Sequence, residues 1–512
     1  MKPRFFVFFF SLMALLTSAC AQSLGALQFD PAKGKAQTLT MPDGSVVRYT
    51  AYTHLYYVVN VEDSAYQYLN FFVPEGAGKG SAILMRTYVG GYMASAAGYP
   101  QAGDATGRAL KEGIVVCIPG TRGRNSTVTD NRGRTVYTGR APKAILDLKA
   151  AVRYLRHFDR QMLGTAERIF IDGTSAGGAL AALLGTSGNQ ADYADELRAM
   201  GAADERDEVF GAICFCPITD LDHADMAYEW LYNGTDSRRA ASASIRKMSA
   251  ELAAQYPAYL ESLQLRTPNG TLLTRDNYLD YVKSEIIRGA QYAKDAGADI
   301  PDGIGFSFSP AASFGAPPVN GGTNAQASTR RKRPAGGADI PEEERPARSQ
   351  QQKERGEYII DLDMPTYLNY VVGTIALKTA PAFDSEIKTD GFTQKASGEN
   401  EEFGPGDGSS ANFTDYTAAL NGSRVSAEVR RNVRMLNPMN YISSTYTTAP
   451  YWFIRHGARD RDTSFCVPIN LALKLQNAGK SVNFRLAWNR PHSGDYGLDE
   501  IFAWMKKAVS NH

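Results

Sequence analysis

Ile169-Phe170-Ile171-Asp172-Gly173-Thr174-Ser175-Ala176-Gly177-Gly178-Ala179-Leu180-Ala181-Ala182 is the stretch on which the reading of this chain turns. Its first residues spell a short apolar strand and its last a helix of small residues, with a tight turn between them. Gly173-Thr174-Ser175-Ala176-Gly177 fits G-x-S-x-G, a nucleophile elbow, in the strand–turn–helix context that gives the motif its meaning. Gly173 and Gly177 let strand and helix approach closely, and the turn holds Ser175 in a strained conformation. The hydroxyl is thereby lifted off the sheet toward a helix N-terminus, whose free N–H groups favour negative charge.

Outward from the elbow, strands and helices alternate. Ser81–Tyr88 reads as a strand ending at Val89-Gly90-Gly91-Tyr92, and Gly113–Pro119 as a buried strand. Ala141–Phe158 reads as a helix with Ile145, Leu148, Val152, Leu155 and Phe158 on one face, and Val209–Pro217 as the next strand. Residues 36–75 alternate apolar and polar around the turn Pro42-Asp43-Gly44, the antiparallel start of a mixed sheet. From about Asp222 to Pro438 the pattern gives way to helical and irregular segments. Pro257 is expected to end or kink the helix before it. The pattern returns with strands at Tyr451–His456 and Val482–Trp488 and a last helix at Leu498–Val509. The expected class is α/β: a mostly parallel sheet flanked by helices, with a large, mainly helical insertion. The boundaries expected are 22–222 and 446–512 for the two parts of the core and 223–445 for the insertion. Within it, 306–353 is rich in Gly, Pro, Ser, Arg and Gln around Arg330-Arg331-Lys332-Arg333, and reads as a disordered loop.

A chain of 512 residues with a net charge of +1 gives no sign of nucleic acid as partner. Lys2 and Arg4 precede an apolar run, Phe5–Leu16, too short to span a bilayer, so residues 1–21 read as an export signal. Two processing sites are open. Ala19-Cys20-Ala21 fits ordinary cleavage, and Leu16-Thr17-Ser18-Ala19-Cys20 resembles a lipobox that would lipidate Cys20, the one expected route to membrane attachment. Cys117, Cys214, Cys216 and Cys466 read as core thiols. Cys214-Phe215-Cys216 is too tightly spaced for the usual zinc pairs, and no metal or organic cofactor is expected.

A serine nucleophile needs a base, and the base needs a carboxylate. Of the six histidines, His492 follows the last strand in Arg490-Pro491-His492-Ser493-Gly494-Asp495, where an open α/β sheet places its site. His456, at the end of the preceding strand, reads as structural. The loop after that strand, Gly457-Ala458-Arg459-Asp460-Arg461-Asp462, offers two aspartates. Asp460 comes first off the strand and is assigned as the acid, while Asp462 taken alone could cap the following helix. Ser175, Asp460, His492 is the chain order of α/β-hydrolases. The oxyanion hole is expected from the N–H groups of Ala176 and Gly91, with Gly90 and Tyr92 as the neighbours of the latter.

Val89-Gly-Gly-Tyr-Met, Gly139-Arg-Ala-Pro, Gly173-Thr-Ser-Ala-Gly-Gly, Cys216-Pro-Ile-Thr-Asp-Leu-Asp-His-Ala-Asp-Met, Phe453-Ile-Arg-His-Gly-Ala-Arg-Asp-Arg-Asp-Thr and His492-Ser-Gly-Asp-Tyr together resemble the bacterial tannases. The resemblance implies an α/β-hydrolase fold with an inserted lid, and hydrolysis of galloyl ester and depside bonds. It also implies that Lys378, Glu399 and Asp462 contact the ring hydroxyls, with Glu401 and Glu402 as competitors of Glu399. Three alternatives remain open. They are a feruloyl or general carboxylesterase on this scaffold, an inactive polyphenol- or glycan-binding surface lipoprotein, and a peptidase.

Overall fold

The computed structural model describes residues 22–309, 358–373, 377–384, 397–443 and 445–511. Nine strands form one sheet: β1 (Lys35–Thr40), β2 (Val46–Tyr56), β3 (Tyr68–Pro74), β4 (Ile83–Arg86), β5 (Val115–Pro119), β6 (Ile169–Thr174), β7 (Gly211–Phe215), β8 (Tyr451–Gly457) and β9 (Ser481–Ala487). Their order is β9-β8-β7-β6-β4-β5-β3-β2-β1. The run from β9 to β5 is parallel and β3, β2 and β1 follow antiparallel. This is an α/β-hydrolase sheet, with β6 near its middle.

Period-two alternation explains why these segments are strands. Ile83, Met85, Val115, Cys117, Ile169 and Ile171 enter one core, against helices α2 (Lys143–His157) and α3 (Ala176–Thr186). Leu84, Val116, Ile118, Phe170 and Ile213 enter a second core, against α1 (Ala105–Lys111) and the C-terminal helix, Leu498–Ser510. Successive residues therefore bury on opposite faces, as a sheet covered on both sides requires.

Between β7 and β8 the described chain forms α4 (Leu221–Tyr232), α5 (Ala243–Ser262), α6 (Tyr278–Asp295), α7 (Met364–Val372), α8 (Gly398–Glu402) and α9 (Ala427–Leu436). Helix α10 (Cys466–Asn477) joins β8 to β9, and α11 is Leu498–Ser510. The helix end considered at Pro257 is not found, and the loop expected from Phe306 is corrected at its start. α5 runs through Pro257 to Ser262. One lost N–H is tolerated where Leu252, Tyr256 and Leu260 are buried on either side of it. Phe306–Phe308 is not loop but pairs antiparallel with Ile359–Leu362, and the Phe306 ring packs on Tyr367 and Trp488. The rest of that stretch, with Arg330–Arg333, lies outside the described residues, as do the leader and Cys20. Among the described residues no helix is long and apolar enough to cross a membrane.

One buried ion cluster joins distant parts of the sheet. Arg86 closes β4 at 5% exposure. Its Nη1 bonds Asp172 of β6, and the guanidinium also takes Asp495 bidentately, Nη1–Oδ1 at 2.7 Å and Nη2–Oδ2 at 2.9 Å. Burial raises the Asp172 carboxyl to about 6 against the pull of Arg86. Arg86→Met would leave two carboxylates facing each other without a counter-ion, and is expected to cost about 3–5 kcal/mol of unfolding free energy. Guanidinium denaturation measures this, and a midpoint equal to that of the wild type would contradict the clamp.

Candidate active site

Ser175 sits between β6 and α3 at φ 60°, ψ −122°. No ordinary L-residue minimum lies there, so the turn is strained and its neighbours must hold it. They do so by backbone contact. Ser175 N–H donates to Phe215 O at 2.9 Å, and Gly177 N–H to Val89 O at 2.9 Å. A Cβ on Gly173 would lie 2.3 Å from Gly177 O, so only glycine permits this approach.

His492 and Asp460, the expected base and acid, arrive from the two strands beyond β7. His492 Nε2 is 2.8 Å from Ser175 Oγ, and His492 Nδ1 is 2.6 Å from Asp460 Oδ2. The other Asp460 oxygen accepts the N–H groups of Asp462 at 2.8 Å and Thr463 at 3.2 Å. The loops carrying acid and base are themselves tied, through Ala458 N–H to Ala487 O and Arg459 N–H to Arg490 O, both 2.9 Å. A Cβ on Gly494 would fall 2.0 Å from Thr174 Oγ1, which shows how tightly the His492 loop packs on the elbow.

Burial disfavours charge on the His492 ring, but the hydrogen bond to Asp460 and the adjacent Cys216 raise its pKa well above the ordinary imidazole value. Asp460 is fully buried; that burial pushes its carboxyl up, and His456 and His492 hold it below the usual range. Ala176 is the first residue of α3, so its N–H has no acceptor in its own helix. Gly91 lies in the turn after β4 at φ 55°, two residues beyond the Val89 carbonyl that caps the elbow helix. The geometry thus brings Ser175, His492, Asp460, Ala176 and the Gly90–Tyr92 turn to one end of the sheet.

Beside this line lies a small cleft whose walls include Ile218, Asp225, Lys378, Glu399, Phe413 and Asp462. Lys378 Nζ and Glu399 Oε1 are 2.7 Å apart. Burial opposes both charges, yet each holds the other ionised, with the ammonium raised and the carboxyl lowered. Glu401 instead pairs with Arg124, and Glu402 is fully buried away from the cleft. Asp462 does not cap a helix, because α10 begins at Cys466 and its first turn is preceded by Phe465.

Sequence reasoning missed four contributors to this region. Asp225 lines the cleft, and burial together with the charge of Glu399 raises its carboxyl to about 7. Three tyrosine hydroxyls from the insertion hold the acid loop by its carbonyls. Tyr232 donates to Asp460 O at 3.0 Å, Tyr228 to Arg461 O at 2.5 Å, and Tyr367 to Ala458 O at 2.5 Å. The Asp222-His223-Ala224-Asp225 run was the visible signal for Asp225. The tyrosines gave none, since each sits on a helix face that also reads as core.

A family model described as BD-FAE matches residues 128–259. Among solved structures, the chain is 32% identical to the tannase of Fusobacterium nucleatum, with a TM-score of 0.77 over 94% of this chain and 99% of that one. This chain belongs to the tannase family. It is also 32% identical to the native tannin acyl hydrolase of Lactobacillus plantarum, with a TM-score of 0.75 over 94% of this chain and 98% of that one. A tannin acyl hydrolase in complex with ethyl gallate aligns with the same values. No curated protein matches by sequence. The family membership makes the chain a carboxylic ester hydrolase of tannase type acting on a small-molecule ester.

The environment of His492 is directly measurable. Its low-field ring-proton resonance should titrate above the ordinary imidazole value of about 6.5. In Asp460→Asn, with the anionic acceptor gone, the titration should move to lower pH. An unshifted titration in that variant would contradict the assigned hydrogen bond.

Proposed function

We propose that this esterase is exported and hydrolyses galloyl ester and depside bonds of tannins and alkyl gallates through a Ser175–His492–Asp460 triad and an acyl-enzyme, releasing gallate. The observation that carries the reading is the placement of one ammonium and two carboxylates, Lys378, Glu399 and Asp462, in a cleft whose edge meets the Ser–His–Asp line. The Asp462 carboxylate lies within 4.8 Å of both the Asp460 carboxylate and the His492 ring. Galloyl presents three adjacent phenolic O–H groups. Carboxylates accept from such donors and an ammonium donates to a phenolic oxygen. The ethyl gallate complex of a relative supports the same substrate class.

In this mechanism His492 takes the Ser175 proton as Oγ attacks the ester carbonyl. The N–H groups of Ala176 and Gly91 receive the oxyanion. Asp460 holds the ring in the tautomer that faces Ser175 and stabilises it once protonated. His492 then gives its proton to the leaving alcohol, and activates the water that releases gallate. The helices between β7 and β8 act as the lid that shapes the acid-binding cleft. Residues 1–21 act as the export leader, so the mature chain works outside the cytoplasm, either free or tethered through Cys20.

Replacing a ring hydroxyl by methoxyl strands a carboxylate acceptor, at about 1–3 kcal/mol for each lost partner. Methyl gallate should therefore be turned over much faster than methyl ferulate, and equal kcat/KM values would sink the galloyl assignment. Asp462→Ala should raise KM for methyl gallate with little change in kcat. Asp460→Ala should instead lower kcat by roughly four orders of magnitude. Since the neutral ring is the base, kcat/KM should fall on the acid side as His492 protonates, with a midpoint above that of free imidazole. Turnover in Ser175→Ala equal to that of the wild type would refute the mechanism.

A further inference from the structure

Behind the triad lies a second constellation, which shares Asp460 with it and adds two side chains that ester hydrolysis does not use. Cys216, His456 and Asp460 come from the ends of β7 and β8 and the loop beyond, and all three are buried. The Cys216 sulfur, a His456 ring nitrogen and an Asp460 oxygen all lie within 4.8 Å of one another. His456 is fully buried, yet neither of its ring nitrogens has a hydrogen-bond partner. Buried imidazole without a partner is costly, and such an exception calls for an explanation. Asp460 Oδ2 is 3.4 Å from His456 Nε2.

That separation has a chemical meaning. A tetrahedral zinc ion holds nitrogen and oxygen ligands at about 2.0–2.2 Å and sulfur at about 2.3 Å, so its ligand atoms stand about 3.4–3.6 Å apart. The His456–Asp460 distance is thus one edge of such a tetrahedron. Thiolate, imidazole and carboxylate together form a donor set suited to Zn²⁺ or Cd²⁺. Tyr496 Oη also lies 3.1 Å from the Cys216 sulfur.

We propose that Cys216, His456 and Asp460 form an inhibitory site for a soft divalent cation, whose binding draws Asp460 away from His492 and so shuts the Ser175 centre. The inference rests on the triad reading above for its effect on turnover, but not for the binding itself. Entry runs through the outer face, where Asp460, Asp462 and His492 form a second group within 4.8 Å that shares Asp460. There the His492 side chain is 19% and the Asp462 side chain 33% exposed. A cation attracted to Asp462 reaches the inner set as the His492 ring moves aside. Close sequence spacing of cysteines gave no hint of this, because the three ligands meet only where separate strands end together.

The test is a Cd²⁺ and Zn²⁺ titration of the full chain in a non-chelating buffer. Cd²⁺ should produce a thiolate-to-metal ultraviolet band that saturates at one equivalent, and methyl gallate hydrolysis should fall in parallel and return on adding EDTA. Cys216→Ser should abolish the band and raise the inhibitory metal concentration at least tenfold, and His456→Gln should raise it similarly. Ser175→Ala should keep the band, which separates metal binding from any failure of the esterase reading. A band that survives Cys216→Ser overturns the site, and saturation of the band without loss of turnover overturns the inhibition.

Discussion

One buried carboxylate holds the working end of this molecule together. Asp460 has no exposure to solvent, and each of its atoms has a distinct task. Oδ1 takes two backbone N–H groups and so fixes the loop that carries it. Oδ2 takes His492 and, at longer range, faces His456. Its backbone carbonyl takes the Tyr232 hydroxyl from the insertion. A buried anion is tolerable only with such partners, since removing them leaves a desolvated charge uncompensated. The acid loop, the base loop and the inserted helices are therefore bound to a common point.

The opposite side of the elbow follows the same logic with the sign reversed. Arg86 is a buried cation that joins the end of β4, the middle of β6 and the His492 loop through Asp172 and Asp495. Between the Arg86 clamp and the Asp460 hub, the strained Ser175 turn and the His492 ring have little freedom to separate. Preorganisation of this kind is what lets a weak nucleophile react, because the geometry is set before substrate arrives. The polar pair Lys378 and Glu399 lies in the cleft beside it, where two opposed, half-buried charges keep each other ionised.

How much of this could be read from the residues differs from part to part. The strands were visible because each alternates between two cores, and the elbow because glycines flank a serine at a strand-to-helix junction. Asp460 and His492 were recoverable from chain order, each lying just after a recognisable strand. Lys378, Glu399 and Asp462 were singled out as a group only through resemblance, as nothing local separates Lys378 from a solvated surface lysine. The Arg86 cluster, the three tyrosine hydroxyls and the meeting of Cys216 with His456 were not visible at all. Each is built by contact between segments far apart in the chain, and local pattern carries no record of such contact. Phe306 was misread for a related reason, since a strand of three residues beside a Gly- and Pro-rich tract shows too little periodicity to stand out.

The claim at the centre is that Ser175 carries the acyl group during turnover. Acid quenching of the enzyme while it hydrolyses methyl gallate, followed by peptide mass mapping, tests this directly. One galloyl group should be found on the peptide containing Ser175, and none should form in Ser175→Ala. A galloyl adduct on another residue of the wild type, or steady turnover of Ser175→Ala, would contradict the account.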